Sequence, residues 1–349
     1  MHVTVSGKSR KIGSRALALS LLASAAALLA PVAAKADVAP TFKVLGFTTT
    51  TSDAGHISYE HEANQWLPKM GKQYGFTYDS TKVWSDCNTA KLSQYQVVIF
   101  MDERPEDPAQ RTAIQKYIEG GGGFIASHGA AFELTGSQQP TNWDWYHNTL
   151  FGSGEYVSNT WRPTSAFLKL EDSSTVLTKG LPPLFKSSPN EWYRWKVDLK
   201  TKPDIKILLS IDPSSFPLGT GPKPEEIWHS GYYPVAWTNV KYHMLYVNMG
   251  HNDLNSPGTG KDSQTFANDI QNTLYLNALM AFGGRTATGI IPVTGSAGRN
   301  GLQAQAEIRR NGSRLSIFIP ADNGFGGTAF DLMGQKLESG SMIPSTLVP

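Results

Sequence analysis

The sequence has little charge and almost no cysteine. Only 17% of its 349 residues are charged, and Cys87 is the single cysteine. One cysteine excludes an intramolecular disulfide, so the fold must be stabilised by its core, with or without a bound metal. Because 40% of the residues are hydrophobic, the chain can bury a sizeable core.

After residue 36 the sequence lacks any apolar run long enough to cross a bilayer. Before it, the chain has a basic start, the apolar run Ala16–Ala30 and an Ala34-Lys35-Ala36 cleavage site. These are the three parts of a secretory signal peptide. We therefore predict a signal peptide over residues 1–36 and a secreted, periplasmic or cell-surface protein, with the secretion machinery as a partner. A membrane anchor is the alternative, although the run is short for one.

The chain also lacks a basic stripe once this leader is removed. Residues 1–36 carry five basic side chains and no acidic one, so the formal net charge changes from +2 to −3 on cleavage. Nucleic acid binding relies on Lys and Arg that neutralise phosphates. We therefore exclude nucleic acid as a partner.

Strand and helix patterns alternate along the first part of the mature chain. The apolar runs Thr41–Thr49, Tyr95–Asp102 and Phe124–Ser127 predict strands, and Tyr95–Asp102 has the continuous apolarity of a strand buried on both faces. Asp107, followed by a proline, predicts the start of a helix that ends at glycine. This order predicts a doubly wound α/β sheet whose ligands bind at the carboxyl ends of the strands. Residues 140–235 are interpreted as loops and edge strands of the same domain.

A histidine lies directly at the end of one predicted strand. His128 follows Phe124–Ser127 and is followed by small residues, as in the nucleophile turn of a hydrolase. Ser127 is its neighbour, but adjacent residues of an extended chain point to opposite faces. The two are therefore not expected to act as a nucleophile and base pair, although a serine hydrolase that uses Ser127 stays an open alternative.

The segment Tyr95–Ala130 resembles the core of the ThuA-like, or trehalose-utilisation, family of the class I glutamine-amidotransferase-like superfamily. Four further segments are similar to motifs of that family and follow in the right order. They are "TFKVLGFTTT…HIS", "NWDWYHNTLFGSGEY", "NEWYRW" and "PVAW…HMLYVNMGH". The resemblance covers residues 41–284. It implies an α/β fold, a flavodoxin-like three-layer sandwich with a mostly parallel central sheet, without the amidotransferase cysteine.

The resemblance also implies a site at the strand ends. It places the candidate catalytic residues His128, His251 and Glu191 around one pocket. The same three residues are the candidate ligands of a divalent, zinc-type metal. The residues that it implies for substrate binding are His56, Asp102, Trp143, Tyr193 and Trp237.

The sequence departs from the family at one place. After the glycine segment, a His-Pro pair is usual in the family, and this chain has Asn159 and Thr160 near that position. Three interpretations of function stay open. The first is a secreted enzyme, a hydrolase or lyase, that processes a glycoside such as a disaccharide or a 3-keto-glycoside. The second is a noncatalytic carbohydrate-binding or scaffold domain, and the third is the serine hydrolase.

The end of the chain predicts a separate small unit. Residues 285–299 are rich in Gly, Thr and Ser and predict a flexible linker. Residues 300–349 predict a small β-rich segment with a hairpin of two strands joined by a glycine turn. The stretch "AFDLMGQKL" is similar to C-terminal sorting domains of the type IX kind, which implies a second contact with the secretion machinery. A C-terminal extension that packs on the α/β domain is the alternative.

Overall fold

The computed structural model describes residues 37–51, 53–132, 143–160, 163–218, 230–252 and 263–284 with their side chains, and the backbone of three strands between residues 307 and 330. The predicted leader and linker lie outside the described residues and stay predictions. None of the helices within the described ranges has the length and apolarity needed to cross a membrane.

A single nine-stranded sheet forms the centre of the fold, with the order β2-β1-β3-β4-β11-β10-β9-β6-β7. Its first five strands are parallel. They are β1 (Phe42–Phe47), β2 (Phe76–Thr81), β3 (Val97–Met101), β4 (Gly123–Ser127) and β11 (Met244–Val247). The order of these five is that of flavodoxin-like folds. The strands predicted at Tyr95–Asp102 and Phe124–Ser127 correspond to β3 and β4, which pair in parallel with Val97 opposite Gly123.

The other four strands of this sheet are antiparallel. They are β6 (Phe167–Leu170), β7 (Leu184–Lys186), β9 (Ile205–Ile211) and β10 (Pro234–Asn239). The sequence analysis placed this region in loops and edge strands, and only β7 lies at the sheet edge. Strand β6 is buried on one side only, so its sequence alternates as that of an edge strand does. This pattern does not show that β6 lies between two other strands. A separate antiparallel pair is formed by β5 (Tyr156–Asn159) and β8 (Tyr193–Trp195).

Helices cover both faces of the sheet. One face packs against α1 (Ala54–Tyr74) and α4 (Asp269–Phe282). The other packs against α2 (Thr89–Leu92) and α3 (Pro108–Glu119), and α3 begins at the predicted cap Asp107. Within a strand, Val97 and Ile99 face the first layer whereas Val98 and Phe100 face the second. The predicted three-layer α/β sandwich is therefore confirmed.

The described part of the C-terminal segment is β-structured. Strands β12 (Glu307–Asn311), β13 (Arg314–Pro320) and β14 (Gly327–Phe330) form a three-stranded antiparallel sheet. The predicted hairpin corresponds to β13 and β14, in which Ile317 lies opposite Phe330. A sorting function for this segment stays a prediction.

Candidate functional site

The carboxyl ends of four parallel strands bring the candidate residues together. Asp53 caps the helix that follows β1, and His56 lies in the first turn of that helix. Asp102 follows β3, His128 follows β4, and His251 follows β11. Parallel strands end at the same edge of a sheet, so these loops meet there as the fold class predicts.

The backbone is strained at this edge. Positive φ angles occur at Asp53 (70°), Asp102 (62°) and His128 (46°), which are all the non-glycine residues with positive φ among the described residues. Non-glycine residues avoid this region, and they persist there only where the surrounding structure holds them. The strain is therefore concentrated in the loops that carry the candidate site.

Two glycines allow these loops to come close. A Cβ atom on Gly55 would lie 1.6 Å from Cδ2 of His251. A Cβ atom on Gly250 would lie 2.7 Å from Cβ of His128 and 2.8 Å from Oδ1 of Asp102. No other residue type fits at either position without displacing a site side chain.

Three imidazole rings converge at the centre of the site. The ring centroids of His56 and His251 are 4.7 Å apart and the rings are parallel to within 4°. His128 lies 5.2 Å from His56 and 5.8 Å from His251. The two histidines that were predicted to share a pocket are therefore neighbours, and His56 belongs to the same cluster.

Carboxylates flank the three rings. Asp102 Oδ2 is 3.1 Å from Nδ1 of His56. His251 lies between two carboxylates, with Nδ1 2.9 Å from Glu191 Oε2 and Nε2 3.1 Å from Asp53 Oδ1. Burial opposes the charge of His251, but the two carboxylates outweigh it and raise its pKa to about 10. His251 is therefore an imidazolium at neutral pH.

Glu191 connects the histidines to a further part of the fold. Its Oε2 faces His251 and, at 3.4 Å, Nε2 of His128, while its Oε1 accepts a hydrogen bond from the Asn159 amide. Burial raises the pKa of Glu191, but its hydrogen bonds with His128 and His251 prevail and lower it to about 2. Asn159, which stands near the family's His-Pro position, thus contacts the site directly and orients the carboxylate.

His128 is fully buried and neutral. Its Nδ1 is 2.9 Å from Nδ2 of Asn248, and its pKa is lowered by burial. The ring centroid of Tyr193 lies 4.0 Å from that of His128. Tyr193, predicted to bind substrate, is therefore part of the site, as are His56 and Asp102.

The predicted metal does not fit this donor set. The nitrogens of His56, His128 and His251 lie within 4.8 Å of one another, a suitable spacing for a cation. A metal needs an unprotonated nitrogen from each ring. The carboxylate at Nδ1 of His251 is compatible with a metal on its other nitrogen. The lone pair on Nδ1 of His128, however, faces the Asn248 amide, which leaves the proton on Nε2. Within the predicted set, Glu191 thus hydrogen-bonds His251 and faces the Nε2–H of His128 at 3.4 Å.

Aromatic side chains extend the site beyond Tyr193. Phe132 stacks on Tyr156 with a centroid distance of 4.1 Å, and both rings contact the edge or face of Tyr193. The Tyr156 hydroxyl donates to Oδ1 of Asn159. Phe132 and Tyr156 are partly exposed and offer flat apolar ring faces, whereas Tyr193 is buried behind them. We call Phe132, Tyr156 and Tyr193 the aromatic wall.

Two predicted substrate-binding tryptophans lie in the core instead. Trp237 is fully buried, and its Nε1 donates to Phe151 O at 2.9 Å. Trp143 is 8% exposed and stacks on Tyr146 with a centroid distance of 4.7 Å. Large aromatic residues bury much apolar surface in cores. Both tryptophans here pack in the core on the second face of the sheet.

Ser127 is not placed to act as a nucleophile. It is fully buried, accepts a hydrogen bond of 2.8 Å from the Tyr59 hydroxyl and lies 3.4 Å from the hydroxyl of Tyr275. These tyrosines belong to α1 and α4, on the first face of the sheet. His128 faces the site, as expected for adjacent residues at the end of a strand.

The sequence analysis missed several residues of the site. Asp53 was not singled out, although its position before Ala54-Gly55 is that of a helix cap. Asn248 lies just beyond β11, within a motif from which only His251 was predicted as a site residue. Tyr156 and Phe132 follow no spacing rule relative to His128, so only the tertiary structure identifies them.

A buried carboxyl group near the site gives the protein a pH-dependent stability. Glu60 is 5% exposed and accepts a hydrogen bond from the Thr50 amide. Burial raises its pKa from 4.5 to about 8. Between these pH values the folded protein holds a proton that the unfolded chain has lost, so the free energy of unfolding falls as pH rises.

We expect Glu60→Gln to remove this slope. Between pH 5 and pH 8 the free energy of unfolding of the wild type should fall by on the order of 4 kcal/mol more than that of the variant. This follows from about 1.4 kcal/mol per pKa unit. Urea unfolding at several pH values measures the difference. Glu119→Gln, an exposed position on α3, is the control and should follow the wild type. Parallel curves for Glu60→Gln and the wild type would contradict the prediction.

Comparison with known proteins gives one family. The sequence profile of the trehalose-utilisation family, ThuA, matches residues 43–256. A ThuA-like protein from Bacteroides uniformis, known from a crystal structure, has 30% sequence identity to this chain and a TM-score of 0.62. The match covers 72% of this chain and 94% of that one. A ThuA-like protein from Parabacteroides merdae is 19% identical, with a TM-score of 0.48, over 71% of this chain and 92% of that one. A comparison with curated proteins found no match.

Proposed function

This chain belongs to the ThuA, or trehalose-utilisation, family, and from that membership we propose that it is an enzyme of carbohydrate catabolism that acts on a glycoside. The family supports a carbohydrate-related function at a general level. The finer proposal is that the substrate is a disaccharide or a 3-keto-glycoside and that the reaction is a hydrolysis or an elimination.

One observation carries the proposal. His251 and Glu191 lie 2.9 Å apart with pKa values displaced in opposite directions, to about 10 and about 2. Titratable groups whose pKa values are displaced by burial and by a specific charged partner, in a cluster at strand ends, are candidate functional groups. Positive φ angles at three loops that meet there are a further sign of a functional site.

The pair can complete a proton cycle. His251 gives its proton to the leaving glycosidic oxygen, and Glu191 accepts one from the attacking water or, in an elimination, from the sugar carbon next to a ketone. The proton then passes from Glu191 to His251 across 2.9 Å, and the site returns to its starting state. No step in this cycle uses a metal.

The aromatic wall supplies a binding surface for the sugar. The side chain of His251 is 16% exposed and that of Glu191 is 12% exposed, so both reach the opening of the site. Tyr193 packs against His128, and the partly exposed rings of Phe132 and Tyr156 pack against each other and against Tyr193. Apolar ring faces pack against the C–H faces of sugars, which supports a glycoside as the substrate.

A panel of disaccharides and 3-keto-glycosides tests the proposal. We expect the purified protein to turn over at least one of them. Two histidines of the same helix provide a matched comparison, because His56 lies in the cluster whereas His61 is exposed. His56→Ala should lower turnover tenfold or more, and His61→Ala should leave it unchanged. Binding of a glycoside without turnover, or an equal effect of both variants, would favour a binding domain.

A further inference from the structure

Asn248 lies beneath the site and contacts three parts of it. The side chain is fully buried. Its Oδ1 is 2.6 Å from the backbone nitrogen of Tyr193, and its Nδ2 is 2.9 Å from Nδ1 of His128 and 3.4 Å from the carbonyl oxygen of Glu191. This residue is therefore the link between the strand of Tyr193 and the turn of His128.

The backbone decides which way the Asn248 amide points. A backbone N–H can only donate, so the atom that faces Tyr193 N must be the oxygen. A carbonyl can only accept, so the atom that faces Glu191 O must be the NH₂ group. Both contacts give the same orientation, and an inverted amide would lose both.

The amide orientation in turn decides which nitrogen of His128 carries the proton. Because Asn248 donates to Nδ1, that nitrogen must present its lone pair. The single proton of the neutral ring is then on Nε2, which is 3.4 Å from Oε2 of Glu191. This distance is long for a hydrogen bond, and Nε2 has no hydrogen-bond partner among the described residues.

We propose that Asn248 fixes His128 as the neutral Nε2–H tautomer, which makes His128 a positioning donor to Glu191 and not a metal ligand or a proton acceptor. Glu191 is then held by two hydrogen-bond donors, the Asn159 amide on Oε1 and His251 on Oε2, and the Nε2–H of His128 faces Oε2 at 3.4 Å. The assignment of the tautomer is independent of the reaction. It rests on the proposed function only in treating Glu191 as the reactive carboxylate.

This arrangement separates the histidines by role. His128 is fully buried, whereas the side chains of His56 and His251 are 19% and 16% exposed. A substrate therefore meets His56, His251 and Glu191 before it could reach His128. His128 stabilises the carboxylate from below, as buried second partners do for reactive groups that they orient.

The proton position can be read directly by nuclear magnetic resonance. Histidine ring nitrogens labelled with ¹⁵N give different shifts when they are protonated and when they are not, and His128→Gln identifies the His128 signals by their loss. For the wild type at pH 7 we expect a protonated Nε2 and an unprotonated Nδ1. A proton on Nδ1, or on both nitrogens, would overturn the proposal whether or not Asn248 variants fold.

Asn248→Asp is the matching perturbation. A carboxylate in place of the amide can only accept, so we expect Nδ1 of His128 to gain a proton. Asn277→Asp is the control, because Asn277 is also buried but donates to Leu177 O and Lys179 O on the outer side of α4. It should leave the His128 signals unchanged. An unchanged His128 spectrum in folded Asn248→Asp would contradict the proposal.

A zinc titration of the wild type gives an independent result. We expect the Nε2 proton of His128 to persist in the presence of one equivalent of Zn²⁺. Its loss with stoichiometric zinc would show that His128 is a metal ligand and would overturn the proposal. The glycoside panel decides the proposed function separately, because turnover and the tautomer are measured in different experiments.

Discussion

Glu191→Gln should lower kcat/KM for the glycoside substrate about 1000-fold, which is within the range that general acid–base groups contribute. The carboxylate accepts from Asn159 on Oε1 and from His251 on Oε2. A glutamine has one oxygen and one NH₂ group, so one of these donors would face another donor. The variant loses both the negative charge that holds the His251 proton and the group that takes a proton from the substrate.

The measurement needs a control for the loss of a carboxylate in general. Glu155→Gln is suitable, because Glu155 forms an ion pair of 2.9 Å with Lys196 at the surface, and such pairs contribute little. It should keep wild-type kcat/KM. Circular dichroism gives the unfolding temperature of each variant, and the kinetics are measured below both. A lower rate is then due to the missing carboxylate and not to unfolding. Turnover by Glu191→Gln at more than a tenth of the wild-type rate would exclude Glu191 as the reactive carboxylate.

Gly55→Ala should reduce turnover about 100-fold while the protein stays folded. Alanine normally stabilises a helix relative to glycine by about 1 kcal/mol. At this position, however, the new Cβ would lie 1.6 Å from the His251 ring. The ring must move away, and its contacts of 2.9 Å with Glu191 and 3.1 Å with Asp53 are lost. Misplacement of a reacting group by about 1 Å costs about 100-fold in rate.

Gly71→Ala, in the same helix, should have the opposite profile. Its Cβ would lie 2.4 Å from the backbone oxygen of Phe76, which cannot move without disturbing the start of β2. We expect a lower melting temperature but normal turnover per folded molecule. Kinetics and thermal unfolding of the two variants together test the argument. Equal loss of stability in both, with equal activity, would show that His251 tolerates the methyl group.

The α/β architecture was predictable from local patterns. The continuous apolar run of β3 and the Asp107-Pro108 start of α3 each specify an element without reference to the rest of the chain. The pairing of β3 with β4 follows from their order and short connection. The antiparallel half of the sheet was not predictable in this way, because its strands pair across long stretches of sequence that leave no periodic signal.

The position of a histidine at a strand end was also readable from sequence. His128 directly follows β4 and His251 lies four residues after β11, and strand ends of a parallel sheet meet at one edge. The metal stays a prediction, since residue types alone do not reveal which nitrogen carries a proton. That depends on partners such as Asn248 and Asp53, which neighbouring elements supply.

The sequence by itself determined the fold class and the edge of the sheet at which polar residues would gather, because these depend on local periodicity and on the order of elements. The family followed from the resemblance of its motifs. Only the tertiary structure decided that Trp237 fills the core while Tyr193 contacts His128. It also decided that His251 is charged and His128 neutral. Burial and partner charges set protonation, and both arise from contacts between residues far apart in the chain.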